Sequence, residues 1–216
     1  MGHLFIYSSI HPAIYSSIHI VLPSRAEALA LVHEWTRSVS LRGHMLSVEA
    51  AMRAYAQRGG HDVERWGLTG LLHDFDYERF PNAGQQADVE HPAEGVRHLR
   101  SLGYPEDILE AILGHARYTG VPRVTPMAKT LFAVDELCGL VTATALVRPS
   151  KSVHEVDVRS VQKKFKDKAF ARGVNREDIT DGAAELGVPV EEHIGIVLGA
   201  IQGVAGELGL AGSPPS

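Results

Sequence analysis

The sequence predicts an all-α protein, a bundle of about eight or nine helices, and three observations carry that prediction. From Pro23 onward apolar residues recur at intervals of three and four. Capping residues, prolines and glycines bracket the periodic segments at helix starts and stops. No stretch after Pro23 alternates apolar and polar residues as a half-buried strand does.

Before Pro23 the chain reads differently, because "IYSSIH" occurs at 6 to 11 and again at 14 to 19. Two copies are too few for a solenoid, and residues 1–22 are set apart as a peripheral extension or artefact, leaving 23–212 as one helical domain. In that domain "SRAEALALVHEW" opens with Ser24 and Glu27 at capping-box spacing, followed by Leu29, Val32 and Trp35. A second helix is expected from about Ser40 to Arg58, stopped by Gly59-Gly60. A third covers about Val63 to Phe75. Shorter helices follow near His91 to Ser101 and Pro105 to Arg117, each with a proline near its first turn. The run "MAKTLFAVDELCGLVTATALV" (127 to 147) is too long for a strand and reads as a central buried helix. Three more helices are expected over about 157–172, 175–186 and 189–208. The small residues of the last suit close packing, against its own core or a second copy in a homodimer.

Length allows one sizeable core. With 44% apolar and 22% charged residues the composition is that of an ordinary globular protein, and no apolar run approaches the roughly 18 residues of a membrane span. Cys138 is the single cysteine, so no internal disulfide forms and a reducing, cytoplasmic setting fits. The net charge of −5 is unevenly spread: Arg148 to Arg176 holds nine Lys/Arg against three Asp/Glu. That basic segment suits phosphate-bearing ligands or a solvated helix face; without interleaved aromatics on an acidic protein, it does not point to nucleic acid.

The stretch "GLLHDFDYERF" places His73 and Asp74 directly behind an apolar run. His44 shares a helix face with Val48, Ala51 and Tyr55, so its imidazole points into the bundle. Asp135 interrupts the buried helix and must be paired, hydrogen-bonded or metal-bound there. His91, His98 and His115 complete the set at helix ends or on apolar faces.

These residues resemble the HD-domain superfamily of metal-dependent phosphohydrolases, which carries His, His-Asp and then Asp on separate helices of an all-α bundle. The matching positions are His44, His73-Asp74 and Asp135, and the dinuclear branch adds two histidines whose places are filled by His91 and His115. The resemblance spans about 24–147. His98 competes with His91 from the same face but about 10 Å further along the axis, and "HPAEG" resembles the dinuclear stretch. Adjacent His73 and Asp74 diverge by about 100° on a helix and can serve one site only at its end. Asp74 is expected to bridge, with His44, His73 and Asp135 around one ion and His91 and His115 around the other.

Imidazoles and carboxylates without thiolate suit one or two ions of Fe, Mn, Co, Ni or Zn. The expected reaction is hydrolysis of a nucleotide or other small phosphate ester by metal-activated water. Asp74 and Asp76 are the expected catalytic carboxylates, and Arg79, Arg117, Tyr118 and Lys151 the expected substrate contacts. Tyr77 stands where di-iron oxygenases and cyclic-dinucleotide phosphodiesterases of this superfamily usually have lysine, and "LGYPED" (102 to 107) is an ordinary helix turn. A di-iron oxygenase and a metal-stabilised binding module without turnover are the competing readings.

Overall fold

Two helices of 21 residues, Val39–Gly59 (α2) and Pro126–Leu146 (α6), form the centre of the bundle in the computed structural model, which describes residues 22–212. Before them α1 spans Arg25–Trp35, and α3, α4 and α5 cover Val63–Leu72, Ala93–Ser101 and Glu106–His115. After them come α7 (Val158–Lys166), α8 (Arg176–Leu186) and α9 (Val190–Gly203). Among the described residues every regular element is helical, as the apolar periodicity predicts. No described helix is long and apolar enough to cross a membrane. The duplicated segment at 6 to 19 lies outside the described residues.

Helix α1 starts where expected, with Ser24 and Glu27 closing a capping box. Helix α2 turns Met45, Val48, Ala51, Met52 and Ala56 inward and stops at Gly60, whose φ of 67° is the left-handed conformation glycine adopts without a Cβ clash. It packs against α3, α6 and α9, while α6 also meets α5, α7 and α8. Gly70 lets α3 come close to α2: a Cβ there would sit 2.9 Å from the Val48 carbonyl oxygen. That approach brings the end of α3 level with His44.

Several helices are shorter than the periodicity predicts. Helix α3 stops at Leu72, not Phe75, and successive turns take its place. The Thr36 hydroxyl donates to the Phe75 carbonyl at 2.9 Å and ties those turns to the end of α1. Helix α4 begins at Ala93, leaving His91 ahead of it, and α5 ends at His115 before a 3-10 turn, Arg117–Thr119. Helix α7 ends at Lys166 because Asp167 turns extended and its carboxylate accepts from the Ala169 amide. The loop beyond it closes on Arg176, whose guanidinium donates to the carbonyls of Ala171 and Val174 at 2.7 and 2.8 Å.

The apolar side of α9 packs within its own chain against α2, α6 and α7. Buried in that contact, His193 donates from Nε2 to the Ala133 carbonyl at 2.8 Å and accepts at Nδ1 from the Tyr55 hydroxyl at 2.6 Å. One imidazole thus fixes α9 to both central helices. Burial pulls its pKa below the usual histidine range, only partly opposed by the Ala133 bond.

Replacing His193 by Asn should therefore lower unfolding stability by about 1–3 kcal/mol at pH 8, the cost of unpartnered buried groups. The unfolded chain takes up a proton below about pH 6.5 while folded His193 stays neutral, so the wild type loses this contribution as pH falls. Denaturant unfolding across pH 5 to 8 should show the gap between the two proteins narrowing towards acid.

Candidate metal centre

The early stop of α3 is what sets the site. At the helix end, His73 keeps helical backbone angles and donates from Nδ1 to the Gly70 carbonyl at 2.8 Å. A carbonyl can only accept, so this bond places the proton on Nδ1 and turns the Nε2 lone pair outward. That Nε2 is buried and has no hydrogen-bond partner among the described residues. Facing it at 3.4 and 3.5 Å are Asp74 Oδ2 and Asp135 Oδ1.

His44, near the start of α2, approaches from the other side, with Nε2 2.9 Å from Asp135 Oδ1 and 3.7 Å from Asp74 Oδ2. The other oxygen of Asp74 faces a different pair: His91 Nε2 at 3.1 Å and His115 Nε2 at 3.6 Å. These two nitrogens are 3.3 Å apart. His115 closes α5 and directs Nδ1 to the Ile112 carbonyl, whereas His91 directs Nδ1 to Asp76 Oδ1 at 2.7 Å. Two overlapping groups, His44-His73-Asp135 and His73-Asp74-His115, have donor atoms all within 4.8 Å of one another, close enough to hold an ion.

Charge in this cluster is strongly coupled. Burial alone would raise the carboxyls of Asp74 and Asp135, yet the facing histidines hold both well below the usual range. Burial alone would lower His73 and His91, yet Asp74 with Asp135, and Asp74 with Asp76, raise them, His91 to about 9. Protons on imidazoles balance the carboxylates here, and a cation displaces such protons when it binds. The donor chemistry therefore fits divalent metal.

The structure brings together all six sequence-predicted ligands, and it places His98 elsewhere, against the Trp35 ring at 4.5 Å between centroids. Other expectations need correction. Asp76 does not face the cleft: its carboxylate is 1% exposed and accepts from His91 and from the Gly95 amide at 2.7 Å. It is a positioning residue, and Gly95 is required beside it, since a Cβ would lie 2.6 Å from Asp76 Cγ. Arg79 turns away, donating to the Glu34 carbonyl and stacking over Trp35 at 4.2 Å. Lys151 follows the far end of α6, where Leu146 is roughly 16 Å along the axis from Asp135, and does not line the cleft.

Arg117 and Tyr118 do line the cleft, a cavity of about 730 Å³. Arg117 is held by Asp178 at 2.5 Å and Asp181 at 2.6 Å, and the Tyr118 hydroxyl donates to the His91 carbonyl. Sequence reasoning missed Asn82, Glu136 and Asn175, which share the wall with Tyr77. Burial first and then the Asp135 charge push the Glu136 carboxyl up to about 7. The one signal for it was its place beside Asp135; Asn175 shows itself only as the cap of α8.

An all-helical bundle whose separate helices converge on histidines and aspartates defines a metal-site class of fold. Residues 41–140 match the family model of the HD domain, a stretch containing all six converging residues. That stretch is similar to the HD domain, whose superfamily is in general one of metal-dependent hydrolases. No curated protein and no solved structure matches the chain.

Asp76→Ala removes the acceptor that orients His91. Ligand-orienting groups of this kind are worth about ten- to a hundredfold in metal affinity. Competition with a coloured chelator should show that loss for the ion beside His91, with the folded helical signal retained.

Proposed function

We propose that the protein is a dinuclear metal-dependent phosphohydrolase of the cytoplasm, acting on a nucleotide or other small phosphate ester. The observation that carries the reading is the division of Asp74, one oxygen towards His44 and His73 and the other towards His91 and His115. In this assignment His44, His73, Asp74 and Asp135 would hold one ion, and Asp74, His91 and His115 the other. His73 Nε2, buried and without a partner, is what a coordinating nitrogen looks like when only protein atoms are counted. Fe, Mn, Co, Ni and Zn all suit this donor set.

Divalent ions bound there would supply Lewis acidity, hydroxide near neutral pH and an anchor for phosphoryl oxygens. The chain's own residues do the rest. Carbonyls of Gly70 and Ile112 and the Asp76 carboxylate fix the tautomers of His73, His115 and His91, so that each presents Nε2 to the cleft. Tyr118 ties the 3-10 turn to the His91 backbone and so holds two sides of the cleft together. Asn82 and Gln85 stand at the opening as neutral hydrogen-bonding groups for substrate.

Phosphate release from a panel of phosphate monoesters and nucleotides, measured with each of the five metals in air and under argon, tests this. The expected result is turnover with at least one metal that is indifferent to oxygen and falls by a hundredfold or more in Asp135→Ala. Turnover only with iron and oxygen makes the protein an oxygenase; no product under any condition makes it a binding module.

A further inference from the structure

Beside the metal cleft runs a second groove of about 630 Å³, and His44, Tyr77 and Gly139 line both. Its wall is largely aliphatic, made by Leu41, Pro81, Ala143 and Leu146. Of these Leu146 is 50% exposed. Large apolar side chains left open beside a site are a binding feature more than a packing one. Gly139 has no side chain to separate the two spaces, and a Cβ there would meet only Val174, at 3.6 Å.

Charge narrows what can enter. Among the described residues no lysine lines either cavity, and the one lining arginine, Arg117, is already held by two aspartates. The groove's one acid among the described residues, Glu78, accepts from the Arg37 and Ser38 amides at 2.8 and 2.9 Å, and these bonds with the nearby Arg37 and Arg42 charges hold it ionised. A phosphoryl group at the metal centre would have metal to meet it, while a second anionic group further out meets no free lysine or arginine, only hydroxyls, amides, carboxylates and hydrocarbon.

We propose that the groove takes the apolar, uncharged organic part of a substrate bearing a single phosphoryl group, which disfavours nucleoside di- and triphosphates. The assignment rests on the phosphohydrolase reading. Tyr77 and the bare backbone at Gly139 form the passage, and Ala143 and Leu146 the floor beyond it.

Calorimetric binding of non-hydrolysable phosphonates to the metal-loaded full chain tests the groove without turnover. Benzylphosphonate should bind at least tenfold tighter than methylphosphonate, and propylphosphonate at least tenfold tighter than phosphonoacetate, which adds a carboxylate at similar size. Ala143→Trp fills the groove and Leu146→Glu charges its exposed end. Either should bring the benzyl-to-methyl ratio towards one with wild-type metal content, and the exposed position of Leu146 keeps that variant folded. Methylphosphonate binding with no gain for the benzyl compound overturns the groove assignment and leaves the phosphohydrolase reading standing. A dimer in sedimentation that Leu146→Glu dissociates, again with no benzyl gain, gives the groove to a second copy and overturns it too. No binding of any phosphonate to protein of full metal content overturns both readings.

Discussion

The carboxylate of Asp74 has to serve two pairs of imidazoles at once, and much of the bundle is arranged around that requirement. Its neighbours come from the start of α2, the end of α3, the segment before α4, the end of α5 and the middle of α6. A rotation of α3 by one residue would swing His73 by about 100° and take its nitrogen out of the cluster. Leu71 and Leu72, both fully buried, fix that rotation, and Gly70 fixes the distance to α2. The apolar run before the His-Asp pair is thus the device that aims it.

Burying two carboxylates among four imidazoles is unfavourable unless each charge is answered. In the protein alone the answer is protonated histidine, which is why His73 and His91 are driven up while Asp74 and Asp135 are driven down. Those protons do not answer every group: His73 Nε2 still lacks a hydrogen bond. A cation is a better answer, because each Nδ1 proton of His73, His91 and His115 is already committed to an acceptor behind it. The same geometry leaves the cleft short of free positive charge, since Arg117 is tied to Asp178 and Asp181.

The helices were legible because the sequence repeats at helical spacing and carries its own stops, as at Ser24, Gly60 and Gly187. The six candidate ligands were legible because isolated polar groups on buried faces are costly and therefore informative, and because the resemblance to the HD-domain pattern supplied the places of His91 and His115. Sequence distance misled where turns replaced helix. Asp76 is two residues from Asp74, and in the turns after α3 its carboxylate is directed behind His91 instead of into the cleft. Arg79 and Lys151 were plausible by charge, but one stacks on Trp35 and the other follows the wrong end of α6. The loop closed by Arg176, which brings Gly173 and Asn175 to the cleft, depends on backbone carbonyls that no residue pattern announces.

The most direct measurement is elemental mass spectrometry on protein prepared without a polyhistidine tag, comparing the wild type with Asp74→Ala. Sharing of one carboxylate between two ions predicts close to two transition-metal equivalents in the wild type and a large loss in the variant. Wild-type protein that stays metal-free after reconstitution with iron, manganese and zinc, or a variant that keeps both equivalents, would contradict it.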